Sequence, residues 1–148
     1  MKGSNKGWVL ACGILAVIIV VLVISIVWIV AERRAKVEAV KSNCHTVQLA
    51  VEDFAVLNDG EFPSDVVADK TPTGETVKDI LPGRELLENP YTGKATEPVY
   101  GTAVNPGEVG YAPLVSNNGI NVGYTITGVG KKAGVIIITL STGQYKVL

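Results

Sequence analysis

The chain has 148 residues, and its 13 basic and 14 acidic side chains leave a formal net charge of −1. About 90 residues follow the helical N-terminal region, which is enough for one small domain. No basic face of the kind that binds nucleic acid is evident there. The two cysteines, Cys12 and Cys44, provide no disulfide framework. On one continuous helix they would lie roughly 48 Å apart, so they cannot pair within one molecule.

The N-terminal region contains no charged residue from Trp8 to Ala31. At ~1.5 Å per residue this segment can cross a hydrocarbon core of ~30 Å. It exceeds the ~7–15 apolar residues of a cleaved secretory signal. A buried helix of a soluble protein is rarely apolar on every face for so long. The segment therefore predicts a transmembrane helix.

Charges flank this segment on both sides. Lys2 and Lys6 precede it, and the residues that follow include Arg33, Arg34, Lys36 and Lys41 together with Glu32 and Glu38. A count of basic residues alone favours a cytoplasmic C-terminal side. The acidic residues dilute that signal, so charge leaves the topology ambiguous.

Past the apolar segment, hydrophobic residues recur at alternating spacings of three and four, which is typical of one face of an amphipathic helix. We predict that this face packs on a sheet through Val37, Val40, Cys44, Val47, Val51 and Phe54, with Leu57 as one more contact. No proline or glycine occurs between Ile14 and Asn58, so the sequence predicts one helix from about Trp8 to Leu57. Asn58-Asp59-Gly60 supplies its stop signal.

The C-terminal part has the pattern of a small antiparallel sheet. Residues 121–129 alternate, with Val122, Tyr124 and Ile126 on one face. Residues 135–141 place Ile136, Ile138 and Leu140 on one side, and the turn 130–134 joins the two strands into a hairpin. A shorter strand near Val109–Leu114 completes the sheet. The helix face and the sheet face can bury each other, which predicts an α+β fold.

Residues 62–107 are rich in Pro, Gly, Thr, Asp and Glu and indicate an ordered loop region. Short helices are predicted over Val77–Leu81 and Arg84–Glu88. A connection of this length in a small domain usually forms functional surface.

Residue types that carry chemistry do not form a recognisable catalytic set. His45 lies one residue past the apolar face and is predicted to be a solvated surface residue, without partners for zinc. Cys44 and His45 point about 100° apart on a helix, so they cannot act as nucleophile and base. We expect no enzyme, no cofactor and no metal. An acidic set near the helix end is read as calcium ligands or as a hydrophilic loop, and its spacing does not match an EF-hand: Asp53, Asp59, Glu61, Asp65 and Asp69.

Four stretches, in order, resemble type IV pilins and type II secretion pseudopilins. The basic leader ends at Gly7 and is followed by the aromatic Trp8, and Arg33–Val40 resembles the exit of a pilin helix from the membrane. Residues 47–64 resemble the end of the pilin helix and its "NGxYP" exit, here Asn58-Asp59-Gly60-Glu61-Phe62-Pro63. Leu81-Pro82-Gly83 to Asn89-Pro90-Tyr91-Thr92-Gly93 resembles the loop that introduces the sheet in many pilin-like proteins.

The resemblance implies a leader peptide at 1–7 that prepilin peptidase removes between Gly7 and Trp8, with methylation of the new N-terminus. It implies a transmembrane and filament-core half of the helix at 8–31, an amphipathic half at 32–58 and a head at 59–148. The head would hold the loop region 62–107 and a sheet within 109–148.

The implied function is that of a structural subunit in a homo-oligomeric helical filament, either a pilus or a secretion pseudopilus. Its other partners would be the membrane, prepilin peptidase and assembly platform proteins, with no nucleic acid evident. The leader would be cytoplasmic and the head outside, and the precursor would lie in the cytoplasmic membrane before joining an extracellular or periplasmic filament. The alternative is a signal-anchored membrane protein with an extracytoplasmic binding domain.

One position departs from the family pattern. Family members usually have Glu at the fifth residue after the cleavage site, where this chain has Cys12. The membrane half also lacks the proline that is common in major pilins. We expect weaker registration between neighbouring subunits than a Glu would give. Major or minor subunit, and a role in motility, adhesion, DNA uptake or secretion, stay open.

Overall fold

The computed structural model describes residues 5–142, apart from the side chains of residues 5–7 and 9. Helix α1 spans Asn5–Leu57 and starts three residues before the predicted Trp8. It ends where the backbone N–H of Gly60 donates to the carbonyl of Ala55 (2.8 Å), with Gly60 at φ 88°. A glycine adopts this left-handed conformation without a steric penalty. The prediction of one uninterrupted helix ending at Leu57 is confirmed.

The chain divides into two compact units, one up to Ala35 and one from Lys36 onward. In the first unit the described residues, 5–35, are helical. The second contains the amphipathic part of α1 and the six described strands, and we call it the head unit. The predicted four-part division of the chain stays a prediction, because this division into units does not test it.

The loop region contains more regular structure than the sequence predicts. Helix α2 spans Val77–Ile80 and confirms the first short helix; Thr76 and Asp79 form a capping box at its start. The second short helix, predicted over Arg84–Glu88, is wrong. A 3-10 turn at Pro82–Arg84 ends in two residues of positive φ, and strand β1 follows at Leu87–Glu88.

Six strands are described within residues 5–142. Strand β1 pairs antiparallel with β2 (Ala95–Glu97) in a separate two-stranded sheet. The main sheet has the order β3-β4-β5-β6, with β3 at Val99–Tyr100, β4 at Val109–Val115, β5 at Asn121–Val129 and β6 at Ile136–Ser141. The last three strands are antiparallel, as predicted, and β3 joins β4 in parallel. The α+β fold class is confirmed.

The hydrophobic core of the head unit lies between helix α1 and the main sheet. Tyr124 and Ile126 of β5 belong to it, and Ile138 and Leu140 of β6 pack against it. Its buried members are Val40, Cys44, Val47, Ala50, Val51, Phe54, Val66, Val77, Leu81, Val109, Tyr111, Tyr124 and Ile126.

Three predicted core contacts are wrong, two of them because a strand is irregular. Val122 is 53% exposed: Leu114 pairs with Gly123 and Val115 with Asn121, so Val122 has no partner in β4. In β6, Ile136 pairs with Val129 and Ile138 with Gly128, which leaves Ile137 as the extra residue and Ile136 exposed. A bulge of this kind interrupts the alternation of faces.

The third wrong contact is Leu57. It is the last residue of helix α1, and 44% of its side chain is exposed. The chain leaves the helix at the next residue, Asn58, so the periodic face ends without a further core contact.

Candidate functional site

The first candidate surface is the apolar part of helix α1 in the unit up to Ala35. Every side chain described between Trp8 and Ala31 is exposed, and both tryptophans, Trp8 and Trp28, are at least three-quarters exposed. By length and composition the helix can cross a membrane. A continuous apolar surface of this size is not stable against water, so it needs lipid or another apolar helix around it.

One polar side chain in this apolar stretch satisfies its own hydrogen bond. Ser25 donates from its hydroxyl to the backbone carbonyl of Val21 at 2.8 Å. A serine that bonds back to the preceding turn leaves no free donor to be buried in lipid or against a neighbouring helix. The segment can therefore tolerate Ser25 in either environment.

The predicted processing and assembly residues lie at the start of this surface. Gly7 is in the first turns of α1, and its surroundings are outside the described residues; Trp8 is exposed. Residues 1–4 of the predicted leader also lie outside the described residues. Cys12 carries a free thiol and is exposed.

The second candidate surface is the contact between helix α1 and the main sheet, within the head unit. Five of the six predicted packing residues, from Val40 to Phe54, are at most 1% exposed, and Val37 is half-buried. Glycine at position 128 of β5 allows this contact. A Cβ atom at Gly128 would lie 2.7 Å from Cys44 Sγ and 3.0 Å from Val40 Cγ1. The sequence pattern does not reveal this close approach.

Cys44 is a structural residue in this arrangement. Burial, and after it the nearby carboxylate of Glu97, raise the pKa of its thiol to about 12. A thiol that stays protonated at physiological pH is a poor nucleophile. His45, its neighbour in sequence, is exposed and lies 3.3 Å from the Gln48 side chain.

Glu97 is a fully buried carboxylate that no sequence pattern singles out. Its Oε1 accepts hydrogen bonds from Asn89 Nδ2 and Thr96 Oγ1, each at 3.0 Å. Its Oε2 accepts from the backbone N–H of Val109 at 2.7 Å. Three donors compensate for the water that this carboxylate loses on burial.

Asn89, the first residue of the Asn-Pro-Tyr-Thr-Gly loop, connects Glu97 to the turn that follows. Its Oδ1 accepts from the backbone N–H groups of Tyr91 and Thr92, and its Nδ2 also donates to the carbonyl of Pro106 at 3.1 Å. A side chain at Gly107 would collide with Asn89 Oδ1, because the Cβ position lies 2.2 Å from it. The loop is thus held by side-chain hydrogen bonds, and it presents Tyr91 to the ammonium of Lys36, 5.7 Å from the ring centre.

Two tyrosines form hydrogen bonds near the C-terminal end of helix α1. Tyr124 donates its hydroxyl hydrogen to Glu52 Oε1 on helix α1. Tyr111 donates to the carbonyl of Pro63, just after the helix, at 2.6 Å. Burial raises the pKa of Tyr124 to about 12, with the hydrogen bond to Glu52 as a further cause. These contacts fix where the chain leaves the helix.

Two of the five acidic residues near the helix exit, Asp65 and Asp69, bond to backbone groups. Asp69 accepts from the N–H groups of Ser64 and Asp65 and from the Ser64 hydroxyl, which holds the pKa of Asp69 below its usual value although burial opposes this. Asp65 Oδ1 accepts from the N–H groups of Val67 and Ala68, both at 2.7 Å. Within the part of the chain that the structure describes, no group of three or more potential ligands could hold a metal ion. The carboxylates of Asp65 and Asp69 are thus engaged by groups of the loop itself.

Comparisons with models of protein families, with curated proteins and with solved structures found no match to this chain. The fold itself is a long apolar N-terminal helix whose later part packs on a small sheet, which is consistent with a pilin-like architecture.

Proposed function

We propose that the chain is a structural subunit of a type IV pilus-like filament or type II secretion pseudopilus, assembled through its N-terminal helix. One observation carries the proposal. Helix α1 is uncharged and exposed on every described face between Trp8 and Ala31, and its later part packs on a small sheet through a narrow apolar stripe. The apolar part of the helix needs lipid or other apolar helices around it.

The composition of the apolar part supports assembly as well as anchoring. Val and Ile dominate residues 17–30, whereas anchoring in lipid requires only hydrophobicity. When such a helix leaves the bilayer for a bundle of identical helices, apolar contacts replace apolar contacts, so the hydrophobic term nearly cancels. Packing between helices then decides whether the polymer forms.

The proposed life cycle is the one that the resemblance to pilins implies. The precursor resides in the cytoplasmic membrane with its N-terminus in the cytoplasm and its head outside. Prepilin peptidase removes residues 1–7, assembly platform proteins extract the mature chain, and identical copies form a filament outside the cell or in the periplasm. No catalytic role and no cofactor enter this proposal.

The alternative from a different class is a signal-anchored protein that stays in the membrane and binds a partner through its extracytoplasmic domain. The apolar helix and the sheet support it equally. It differs in requiring neither leader removal at Gly7 nor association of the helices.

The mature N-terminus separates the two functions. Mass spectrometry of the chain, isolated both from membranes and from sheared surface material, is expected to show a protein that begins at Trp8 and carries an N-methyl group. Gly7→Val should keep the leader, while Gly3→Val, a matched change away from the cleavage site, should be processed as usual. A native chain that retains Met1 contradicts the filament proposal and favours the signal-anchored protein.

Microscopy of the sheared material tests the polymer itself. Filaments whose main protein is this chain support the proposal. If cells that express the chain and process its leader form no such filaments, the chain is not an abundant subunit. Loss of filaments made of another protein, on deletion of this chain, would then identify it as a minor subunit.

A further inference from the structure

The two ends of the head unit carry different exposed surfaces. Strand β5 runs between two turns, 116–119 at its start and 130–135 at its end, so these turns lie at opposite ends of the sheet. Nine residues at ~3.3 Å each place them about 30 Å apart. Contacts with helix α1 show which end of β5 is which. Gly128, near the end of β5, lies against Val40 and Cys44 in the middle of the helix. Asn121, at the start of β5, accepts from the N–H of Phe62, just after the helix ends.

At the start of β5, near the helix exit, four aliphatic side chains are 43–60% exposed. They flank the turn 116–119, and we call them the distal patch: Leu114, Val115, Ile120 and Val122. A cleft of about 400 Å³ opens beside them, with Glu61, Asp69, Lys70 and Val115 in its lining. Residues 59–70 carry four acidic side chains and one basic one, a net charge of 1 − 4 = −3.

The helix itself adds to this negative field. Helix α1 ends at this side of the head unit and has no basic residue in its last turn. Its C-terminal carbonyls therefore contribute partial negative charge that no cation of the helix compensates. The aliphatic side chains of the distal patch therefore lie beside a region that is favourable to cations.

At the other end of β5, the turn toward β6 carries Lys131 and Lys132, both exposed. Exposed apolar side chains surround them at Val104, Val135 and Ile136, and the N–H of Gly134 donates to the carbonyl of Val104 at 2.7 Å. We call these five residues the proximal patch. The packed loop also carries Glu108, whose carboxylate already accepts from the N–H groups of Val104 and Asn105.

We propose that the proximal patch of one copy docks on the distal patch of a second copy, with Lys131 and Lys132 beside Glu61 and the negatively charged segment 59–70, and with Val104, Val135 and Ile136 against the aliphatic side chains. The occupant is a second copy because both patches expose aliphatic side chains, and because the two lysines of the proximal patch are opposite in charge to segment 59–70 beside the distal patch. They are different surfaces at opposite ends of one unit, so the contact is heterologous, and it builds an open chain of copies when the rotation between neighbours does not close a ring. Copies joined in this way all point in the same direction, as parallel helices in a filament require.

This inference rests on the proposed function, since it names a contact between heads within the proposed filament. Two cysteine substitutions test it in the full-length chain in cells. Asn118→Cys lies in the distal turn and Ala133→Cys in the proximal turn, and both positions are exposed. Mild oxidation of the double variant should give a ladder of disulfide-linked oligomers.

The controls use the asymmetry of the contact. Each single variant should give no more oligomers than the parent chain, which reports any background from Cys12 and Cys44. Co-expression of the two single variants should give dimers and no ladder, because each copy then has only one reactive end. A single variant that forms dimers well above the parent background, or a double variant that stays monomeric, overturns the proposal.

A charge exchange tests the electrostatic part. Lys131→Glu combined with Lys132→Glu should lower the ladder yield about threefold, as expected for exposed ion pairs, and Glu61→Lys in the same chain should restore part of it. Failure of Glu61→Lys to restore any yield overturns the assigned pairing. If the lysines instead bind an anionic membrane surface, the double cysteine variant stays monomeric.

The outcome is separable from that of the proposed function. Filaments without a ladder overturn the contact between heads and leave the filament proposal standing. A ladder in cells that never form filaments supports the contact and counts against the filament.

Discussion

Gly128 and Cys44 approach each other so closely that a methyl group on Gly128 would lie 2.7 Å from the cysteine sulfur. They are 84 positions apart, and their contact joins strand β5 to helix α1 in the core of the head unit. The helix can lie this close to the sheet only because position 128 has no side chain.

The first prediction concerns this contact. Gly128→Ala should lower the free energy of unfolding by about 1–3 kcal/mol, because the added methyl overpacks a closed core. Cys44→Ala in the same chain should recover part of the loss by removing the sulfur. Urea unfolding of the full-length chain in detergent measures both. Strictly additive losses in the double variant would contradict the assigned contact.

A matched change on the same strand serves as the control. At Gly123 the nearest atom to an added Cβ is Thr142 Oγ1, at the end of a side chain that can turn away at the cost of one hydrogen bond, from the N–H of Tyr124. Gly123→Ala should therefore cost less than Gly128→Ala. Equal losses would indicate that the β5 backbone, and not the helix contact, determines the cost.

The second prediction concerns the reactivity of Cys44. Burial raises the pKa of its thiol to about 12, so very little thiolate exists at pH 8. In a Cys12→Ala chain, Cys44 is the single thiol and should resist alkylation by iodoacetamide until denaturant unfolds the head unit. Rapid alkylation of the folded protein, followed by mass spectrometry, would show that the helix does not cover Cys44.

The third prediction is a loss of stability in alkaline solution. The pKa of Tyr124 is raised from 10 to about 12, first by burial and then by its hydrogen bond to Glu52, and burial raises the pKa of Tyr111 as well. The unfolded chain therefore loses these protons at a lower pH than the folded protein. Stability is fully present below pH 10 and falls as the pH rises from 10 toward 12.

Tyr124→Phe separates the two effects of that side chain. At pH 7 it should lower the free energy of unfolding by about 1–2 kcal/mol, because the hydrogen bond to the Glu52 carboxylate is lost. Between pH 10 and 12 its unfolding midpoint should fall less steeply than that of the parent chain. The same slope in both proteins would show that Tyr124 does not carry the alkaline transition.

The fourth prediction concerns the buried carboxylate of Glu97. Glu97→Gln keeps the size of the side chain but replaces one acceptor oxygen with an NH₂ group, so a donor among its three partners loses its acceptor. The variant should lose about 1–3 kcal/mol of unfolding free energy. Glu88→Gln, at an exposed position nearby in sequence, should change the urea midpoint little. An unchanged midpoint for Glu97→Gln would contradict the described hydrogen bonds.

The sequence predicts the long elements because their periodicity is strong. Helix α1 has an unbroken apolar pattern and no proline or glycine over most of its length, residues 121–129 alternate, and residues 135–141 form a β-branched run. The bulges at Val122 and Ile137 escape prediction, since each depends on the register with a partner strand. Strands β1 to β3 are only two or three residues long, too short to show a period.

Surface patches and buried hydrogen-bonded residues are harder to predict from the sequence than the hydrophobic core. Five members of the apolar helix face could be named from spacing alone. Glu97 could not, because a carboxylate becomes a core residue only through donors at Asn89, Thr96 and Val109 that the fold brings together. The two apolar patches likewise depend on which hydrophobic side chains the strands leave uncovered.

The fifth prediction concerns Cys12, at a position where type IV pilins, which this chain resembles, usually have Glu. In the proposed filament, a carboxylate there would face the free amine of Trp8 on a neighbouring copy within an apolar bundle, where an ion pair is screened little by water. Cys12→Glu should therefore increase the amount of sheared filament recovered per cell, measured by immunoblot against total chain. Cys12→Gln, which has a similar size but no charge, is the control and should not give this increase. Unchanged or lower filament yield with Cys12→Glu, while leader removal stays normal, would mean that Cys12 does not limit registration between subunits.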